Sequence, residues 1–339
     1  MKQMKEILRK VSRVVFPKRR VLKISKLRKE ASVRDYYRIH LSSDKTCIAM
    51  VFNNIEQTDS DIVNKIFDST EVFENLKINV PHIYKYFPED KIILLKDAGS
   101  VSLESYCIKN GVKHIVSIYK QMLDSLFKIY HTDLSKTFSQ KTPFATTFTE
   151  QKFFDELVFF LNNANPQNLT ETDKSSLKKA FQSISKALCS EKYILTHRDL
   201  HSRNIFISDD SFVLIDHQDA RLGPYLYDFV SLIKDSYVNL SHQIETELIA
   251  YYISKLKTNS PHFTNHDEFF SSYYLCLLQR SLKAAGTFYF QTLKRNNMKF
   301  KKYIPTVLNY ANTALEKVNL DDNSKDSISR LIQTLMKEY

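Results

Sequence analysis

Glycine is scarce in this 339-residue chain: Gly99, Gly111, Gly223 and Gly286 are the only four. A Walker A loop needs G-x-x-x-x-G-K-[ST], and a dinucleotide-binding turn needs G-x-G-x-x-G. Glycines this far apart spell neither, so a nucleotide would have to be held without those fingerprints. Cysteine is equally sparse. Cys47, Cys107, Cys189 and Cys276 form no C-x-x-C pair, which fits a reducing compartment better than a disulfide framework or a thiolate zinc site. Long apolar runs are missing: none approaches the ~20 residues that span a bilayer. The basic N-terminus lacks the apolar stretch of a secretory signal, so the chain reads as cytoplasmic. Most of it also lacks net charge. Residues 1–30 hold twelve Lys or Arg against two Glu, whereas the rest hold 37 against 36. A neutral body gives no support to a nucleic-acid function.

What is present begins with that basic leader, residues 1–30. Met4, Ile7, Leu8, Val11, Val14 and Val15 recur at helical spacing among Lys5, Arg9, Lys10 and Arg13, which predicts a short amphipathic helix. Two readings are open: weak contact with anionic lipid at the inner membrane face or with nucleic acid, or packing on the first domain with solvated lysines. Residues 36–42, 46–52 and 92–96 read as strands, with a helical stretch at 58–76 between the last two. Beyond about residue 98 apolar stripes at helical spacing dominate, at 115–130, 177–188, 243–256, 267–291, 303–317 and 326–337. A Thr/Asp capping cluster opens the second of these.

The chemistry concentrates in "THRDLHSRNIF" (196–206) and the hairpin after it. "NIFIS" (204–208) and "FVLID" (212–216) read as strands joined by a three-residue loop, which sets Asn204 opposite Asp216. Directly opposed residues have Cβ atoms ~5 Å apart, close enough for an amide oxygen and a carboxylate to share one magnesium. Asp199, five residues earlier, can accept a proton from an incoming hydroxyl. His197 and His201 are spaced as in H-E-x-x-H zinc proteases, but Arg198 stands in place of the catalytic Glu. Asn and Asp also flank hairpins as ordinary turn formers.

His197-Arg198-Asp199-Leu200 with Asn204 matches the protein-kinase catalytic-loop signature H-R-D-L-x-x-x-N. No Phe-Gly follows Asp216, and no glycine-rich loop or A-P-E segment exists. The closer resemblance is to the aminoglycoside phosphotransferase-like family, within it to the bacterial N-acetylmuramate/N-acetylglucosamine anomeric kinases. It is carried by "IDHQDARLGPYLYDFVSLIKD" (215–235), "EASVRDYYRI" (30–39), "IILLKDAGSVSL" (92–103) and "LLQRSLKAAGTFYF" (277–290) followed by "YIP" (303–305). The resemblance implies an α+β, protein-kinase-like two-lobe fold: a small β-rich nucleotide-binding lobe at 31–97 and a helical catalytic and substrate lobe at 98–339 with a catalytic β-hairpin. It implies ATP and Mg2+ as cofactors and a small-molecule sugar as substrate, as in the recycling of cell-wall sugars. Asp199 would be the catalytic carboxylate, Asn204 and Asp216 the magnesium ligands, and Asp228 the carboxylate bracing the catalytic loop. His197 and Arg198 would orient that loop.

The departures bear on substrate. "CIAMVF" carries no lysine of the kind that kinases place on the third strand, so Ser32, Arg34 and Arg38 become the candidates for a phosphate clamp. His217 replaces Phe, and Lys96 replaces an acidic residue. Arg280 and Lys283, one helical turn apart, either face an acidic sugar or phosphate or form an exposed basic face. The alternatives to an amino-sugar kinase are the same chemistry on an envelope sugar, an aminoglycoside or a choline-like acceptor, and a binding module without activity. The missing lysine favours the last, and the retained Asp199, Asn204 and Asp216 oppose it.

Overall fold

Continuous apolar strands such as "CIAMV" need cover on both faces, and the N-terminal sheet supplies it. The structure is a computed structural model that describes residues 2–27, 34–52, 59–112, 115–131, 138–166, 169–208, 211–259 and 265–337. The chain divides into two units, Met1–Val101 with Phe206–Gln218, and Ser102–Ile205 with Asp219–Tyr339.

In the first unit helix α1 (Lys2–Val15) precedes strands β1 (Val21–Lys26), β2 (Asp35–Leu41) and β3 (Lys45–Val51). Helix α2 (Asp59–Asn75) leads on to β4 (Ile83–Phe87) and β5 (Ile92–Lys96). The strands form one antiparallel sheet in the order β1-β2-β3-β5-β4. Cys47, Ala49 and Val51 of β3 bury one face with Ile39, Leu41, Ile92 and Leu94. Ile48 and Met50 bury the other with Val63, Ile66, Ile93 and Leu95.

The leader helix packs on this sheet. Leu8 and Val11 join the first cluster, with Met4, Ile7, Val15 and Phe16 partly buried beside them. Its apolar stripe therefore covers the protein's own core, apart from Val14, which is 54% exposed beside the outward-facing basic side. Residues 21–26, inside the stretch set apart as a leader, form the edge strand β1, with Ile24 opposite Ile39.

The hairpin differs from the sequence reading. Its strands are Ile205–Ser208 and Ser211–Leu214, so Ser211 is already strand. Asn204 closes a 3-10 turn, Ser202–Asn204, and Asp216 lies beyond the second strand at φ +63°. Local bonds take the place of strand pairing at Asn204: its N–H donates to the His201 carbonyl at 2.8 Å and its side-chain amide to the Asp199 carbonyl at 2.9 Å. Neither residue is on a paired strand, so cross-strand register does not set their separation. The hairpin is tied to the first unit by Leu214 N–H on the Asn79 carbonyl, 2.8 Å, and Ile207 N–H on the Val101 carbonyl, 2.9 Å.

The second unit is helical: α3 (Leu103–Asn110), α4 (Val116–His131), α5 (Glu150–Ala164), α6 (Glu171–Cys189), α7 (Tyr227–Ile233), α8 (His242–Asn259), α9 (His266–Tyr289), α10 (Ile304–Lys317) and α11 (Asp322–Met336). A two-stranded antiparallel ribbon pairs Tyr193–Thr196 with Arg221–Pro224. The capping box at the start of α6 is Thr170 with Asp173. Helix α9 is the spine, packed against α5, α7 and α10. At Gly286 it approaches α5 so closely that a Cβ would stand 2.7 Å from Phe160 Cα. Phe229 of α7 stacks on Tyr252 of α8 with ring centroids 4.0 Å apart. No helix among the described residues is long and apolar enough to cross a membrane.

Candidate active site

Residues 197–204 leave the ribbon as a loop without a ladder of its own, so side chains must satisfy its backbone. Asp228, in the first turn of α7, accepts from the N–H groups of His197 and, at 3.0 Å, Arg198. Arg198 has φ +80°, a left-handed conformation that costs a bulky residue on the order of 1–3 kcal/mol, and the Asp228 bonds hold it there. Asp235 accepts from Ser202 N–H at 2.6 Å and Tyr237 N–H at 2.8 Å. Arg203 forms a fork to Glu104 at 2.9 and 3.0 Å, donates to Tyr303 Oη at 2.9 Å, and lies 3.9 Å from the Tyr237 ring centroid. Asp228, Asp235 and, through Arg203, Glu104, Tyr303 and the Tyr237 ring thus fix one eight-residue loop.

Asp199 stands among cations. Lys283 Nζ is 3.0 Å from its Oδ1, Arg280 Nη1 is 3.8 Å from the same oxygen, and Arg198 Nε is 4.0 Å from Oδ2. Burial alone would raise the carboxyl pKa, but Lys283, Arg198 and Arg280 together outweigh it and hold it well below the usual range. Asp199 is therefore an ionised carboxylate. It borders a cavity of about 100 Å³ between α7 and α9, also lined by His201, Lys234, Tyr237, Arg280 and Lys283. Burial lowers His201 to about 3, so its imidazole is neutral at working pH. His197 is buried below the loop. Arg198 reaches Glu156 at 3.5 Å and Asp219 at 3.6 Å.

The remaining sequence candidates lie in the first unit. Asp216 is exposed, and its Oδ1 accepts from Gln218 Nε2 at 2.8 Å. His217 fills the place of Phe by packing edge-on to Phe73 of α2 and meeting Thr70 Oγ1 at 2.8 Å. Arg38 makes a fork to Asp97 at 2.7 and 3.0 Å and also donates to the Gly99 carbonyl, which directs it into the sheet's own linker. The Arg34 guanidinium lies 5.7 Å from the Phe52 ring centroid. Ser32 lies outside the described residues. Among the described residues no group of three or more His, Cys, Asp or Glu, at His197 and His201 or elsewhere, is placed to hold a metal ion.

Residues 148–263, which include the loop, Asp216 and Asp228, match the phosphotransferase enzyme family. The chain carries a phosphotransferase-family domain. It is 22% identical over 285 residues to the N-acetylmuramate/N-acetylglucosamine kinase of Neisseria meningitidis serogroup B, covering 83% of this chain and 82% of that one. Among solved structures it is similar to the ADP-bound aminoglycoside phosphotransferase APH(2'')-Ib, at 15% identity and TM-score 0.57 over 94% of this chain and 99% of that one. It is also similar to the choline kinase LicA of Streptococcus pneumoniae, at 16% identity and TM-score 0.58 over 99% of this chain and all of that one. These likenesses give the kinase fold, with a small antiparallel sheet unit and a larger helical unit. An ATP-dependent kinase is the enzyme class on which the family and the Neisseria relative agree.

Several residues that support the phosphotransferase domain were not assigned from sequence: Glu104, Asp235, Tyr237, Arg280, Lys283 and Tyr303. Arg280 and Lys283 are 12% and 15% exposed, which removes the exposed-face reading. Asp235 makes a measurable difference with pH. Burial raises its carboxyl to about 6, opposed by the Tyr237 and Ser202 donors. The folded state then binds more protons than the unfolded state between about pH 4 and 6, so stability declines as pH rises through that window. The decline is on the order of 3 kcal/mol. Urea denaturation of wild type and Asp235→Asn from pH 4 to 7 should show this slope in the wild type and its loss in the variant. Parallel pH curves would reject the assignment.

Proposed function

We propose that this protein transfers the γ-phosphoryl group of ATP to a hydroxyl of a small sugar, the anomeric hydroxyl of an N-acetylated amino sugar such as N-acetylmuramate or N-acetylglucosamine. The observation that carries it is Asp199, held ionised at a cavity wall by Lys283 at 3.0 Å and Arg280 at 3.8 Å. Such a carboxylate orients an acceptor hydroxyl and takes its proton as the oxygen attacks phosphorus. The name of the Neisseria relative supports the amino sugar, and with it a place in the reuse of cell-wall sugars.

The cavity's charge weighs on the alternatives. Lys234 is paired with Glu245, whereas Arg280 and Lys283 line the cavity against the single carboxylate Asp199, and that surplus of positive charge opposes a polycationic aminoglycoside or a choline-like acceptor. The cluster of Tyr237, Phe300 and Tyr303 rings that would suit a quaternary ammonium already holds Arg203. A neutral or acidic sugar fits better.

Asn204 and Asp216 are our candidates for holding magnesium. Asn204 directs its amide hydrogens at the Asp199 carbonyl, which leaves the amide oxygen as its ligating atom, and Asp216 offers a carboxylate. Hard oxygens from one or two side chains, completed by phosphates and water, are the usual magnesium set. When bound, the metal would neutralise phosphate oxygens. Ser32 and Arg34 remain candidates for the nucleotide phosphates, whereas Arg38 would have to release Asp97 to join them.

ATP consumption should be measured with magnesium against N-acetylmuramate, N-acetylglucosamine, aminoglycosides and choline. Turnover of an amino sugar with product phosphorylated at C1 is expected. Turnover restricted to a cationic acceptor would overturn the reading, and no nucleotide binding would favour a module without activity.

A further inference from the structure

We propose that Lys283 is a catalytic residue of the second unit, supplying the cation that meets the transferred phosphoryl group beside Asp199. The proposal rests on the phosphotransfer reading above and adds a residue to it. The chemistry asks for such a cation. As the acceptor oxygen bonds to the γ-phosphorus, the bond from that phosphorus to the β,γ-bridging oxygen breaks. ADP leaves with the electron pair, and the acceptor proton passes to Asp199. Charge spreads over three equatorial oxygens, and catalysis is mostly positioning and electrostatic stabilisation. The one lysine of β3, Lys45, is exposed at the strand's first position, and Cys47–Val51 carry none.

The second unit has an unbalanced cation at the right carboxylate. Arg198 divides its charge among Glu156, Asp219 and Asp199. For Arg280 and Lys283, the one carboxylate within ion-pair distance among the described residues is Asp199. Two cations thus share one oxygen at the cavity wall. They are not equivalent. Arg280 is fixed from behind by the Arg198 carbonyl at 3.1 Å and Tyr227 Oη at 3.3 Å. Lys283 directs one N–H at Asp199, 3.0 Å away, and among the described residues its other two N–H groups meet no acceptor. Its side chain is 15% exposed on α9 and lines the cavity, with Nζ 6.0 Å from the Tyr227 ring centroid, so the ammonium is held in place beside Asp199. An ammonium with three donors suits an oxygen cluster whose shape changes during reaction, whereas a fixed guanidinium suits a static partner.

The test uses full-length wild type, Lys283→Met and Lys283→Arg, with saturating ATP and magnesium. Rates are followed on N-acetylmuramate and N-acetylglucosamine, and ADP release with water as acceptor is followed in parallel. Loss of one positioned donor at a developing charge costs about 10²–10³-fold in kcat. We expect that loss in Lys283→Met on both sugars and on water, KM changes below about threefold, and recovery of at least tenfold in Lys283→Arg. A defect confined to KM for N-acetylmuramate would assign Lys283 to the sugar's carboxylate and overturn the proposal. Unchanged kcat would overturn it as well. Should Lys283→Met fail to fold, Lys283→Gln, with a similar stem and a polar head, is scored by the same criteria. If wild type turns over neither sugar, the acceptor reading fails by itself, and the water reaction still decides the role of Lys283.

Discussion

Asparagine in place of Asp199 will lower turnover by about 10²–10⁴-fold, the range for losing general-base assistance, while nucleotide affinity stays within a few-fold. The change removes a charge and a proton acceptor but little volume. The loop geometry depends on the Asp199 carbonyl, which accepts from Asn204 and from His201 N–H at 3.1 Å, and on Asp228 and Asp235; none of these is altered. What disappears is the carboxylate shared by Lys283 and Arg280. Those cations then face the cavity uncompensated, so the variant should retain an anionic nucleotide at least as well as it retains an acceptor. Calorimetric titration with ATP beside steady-state rates checks both halves. Wild-type turnover in Asp199→Asn would remove Asp199 from the chemistry.

Alanine at 228 should be the most destabilising single change in the loop's support. Asp228 is buried and serves two backbone N–H groups, those of His197 and Arg198. Truncation orphans both, at about 1–3 kcal/mol each, and it also releases Arg198 from a backbone conformation that nothing else fixes by hydrogen bonding to its N–H. A loss of about 2–6 kcal/mol is a large share of the 5–15 kcal/mol typical of a folded domain. Asp228→Asn, with one acceptor left, should fall between. Urea denaturation followed by circular dichroism, with activity measured on the folded fraction, separates instability from misalignment. A midpoint for Asp228→Ala equal to wild type would show that the loop stands without its brace.

Legibility in the sequence followed distance along the chain. The relation of His197, Arg198, Asp199 and Asn204 lies within eight residues, so spacing alone exposed it, and Asp228 followed from the matched segment. Glu104 braces Arg203 across 99 positions, and Lys283 meets Asp199 across 84; no local pattern encodes such meetings. The stripe 267–291 announced a helix, but not which neighbour would cover the side bearing Arg280 and Lys283. The amphipathicity of residues 4–15 was legible, whereas its target was not, because lipid and a protein core ask for the same apolar face. Strand β1, "VLKISK", was hidden among charges: as an edge strand it buries only Ile24 and shows no clean alternation. The hairpin was right in place and wrong in extent, since a side-chain amide at Asn204 preferred a local carbonyl to a strand partner.

The hairpin also dictates a schedule. The first unit's residues are not contiguous: Phe206–Gln218 belong to it, bonded to Asn79 and Val101, after more than a hundred intervening residues of the other unit. During synthesis, the sheet's five strands emerge early, but the surface around Asn79 and Val101 waits for a partner made much later. Domains generally form as units while the chain lengthens, and here the bonds at Asn79 and Val101 cannot form until the ribosome has passed Leu214. A fragment cut near residue 101 therefore lacks the partners of the Asn79 and Val101 carbonyls, and the nascent chain lacks them throughout the interval.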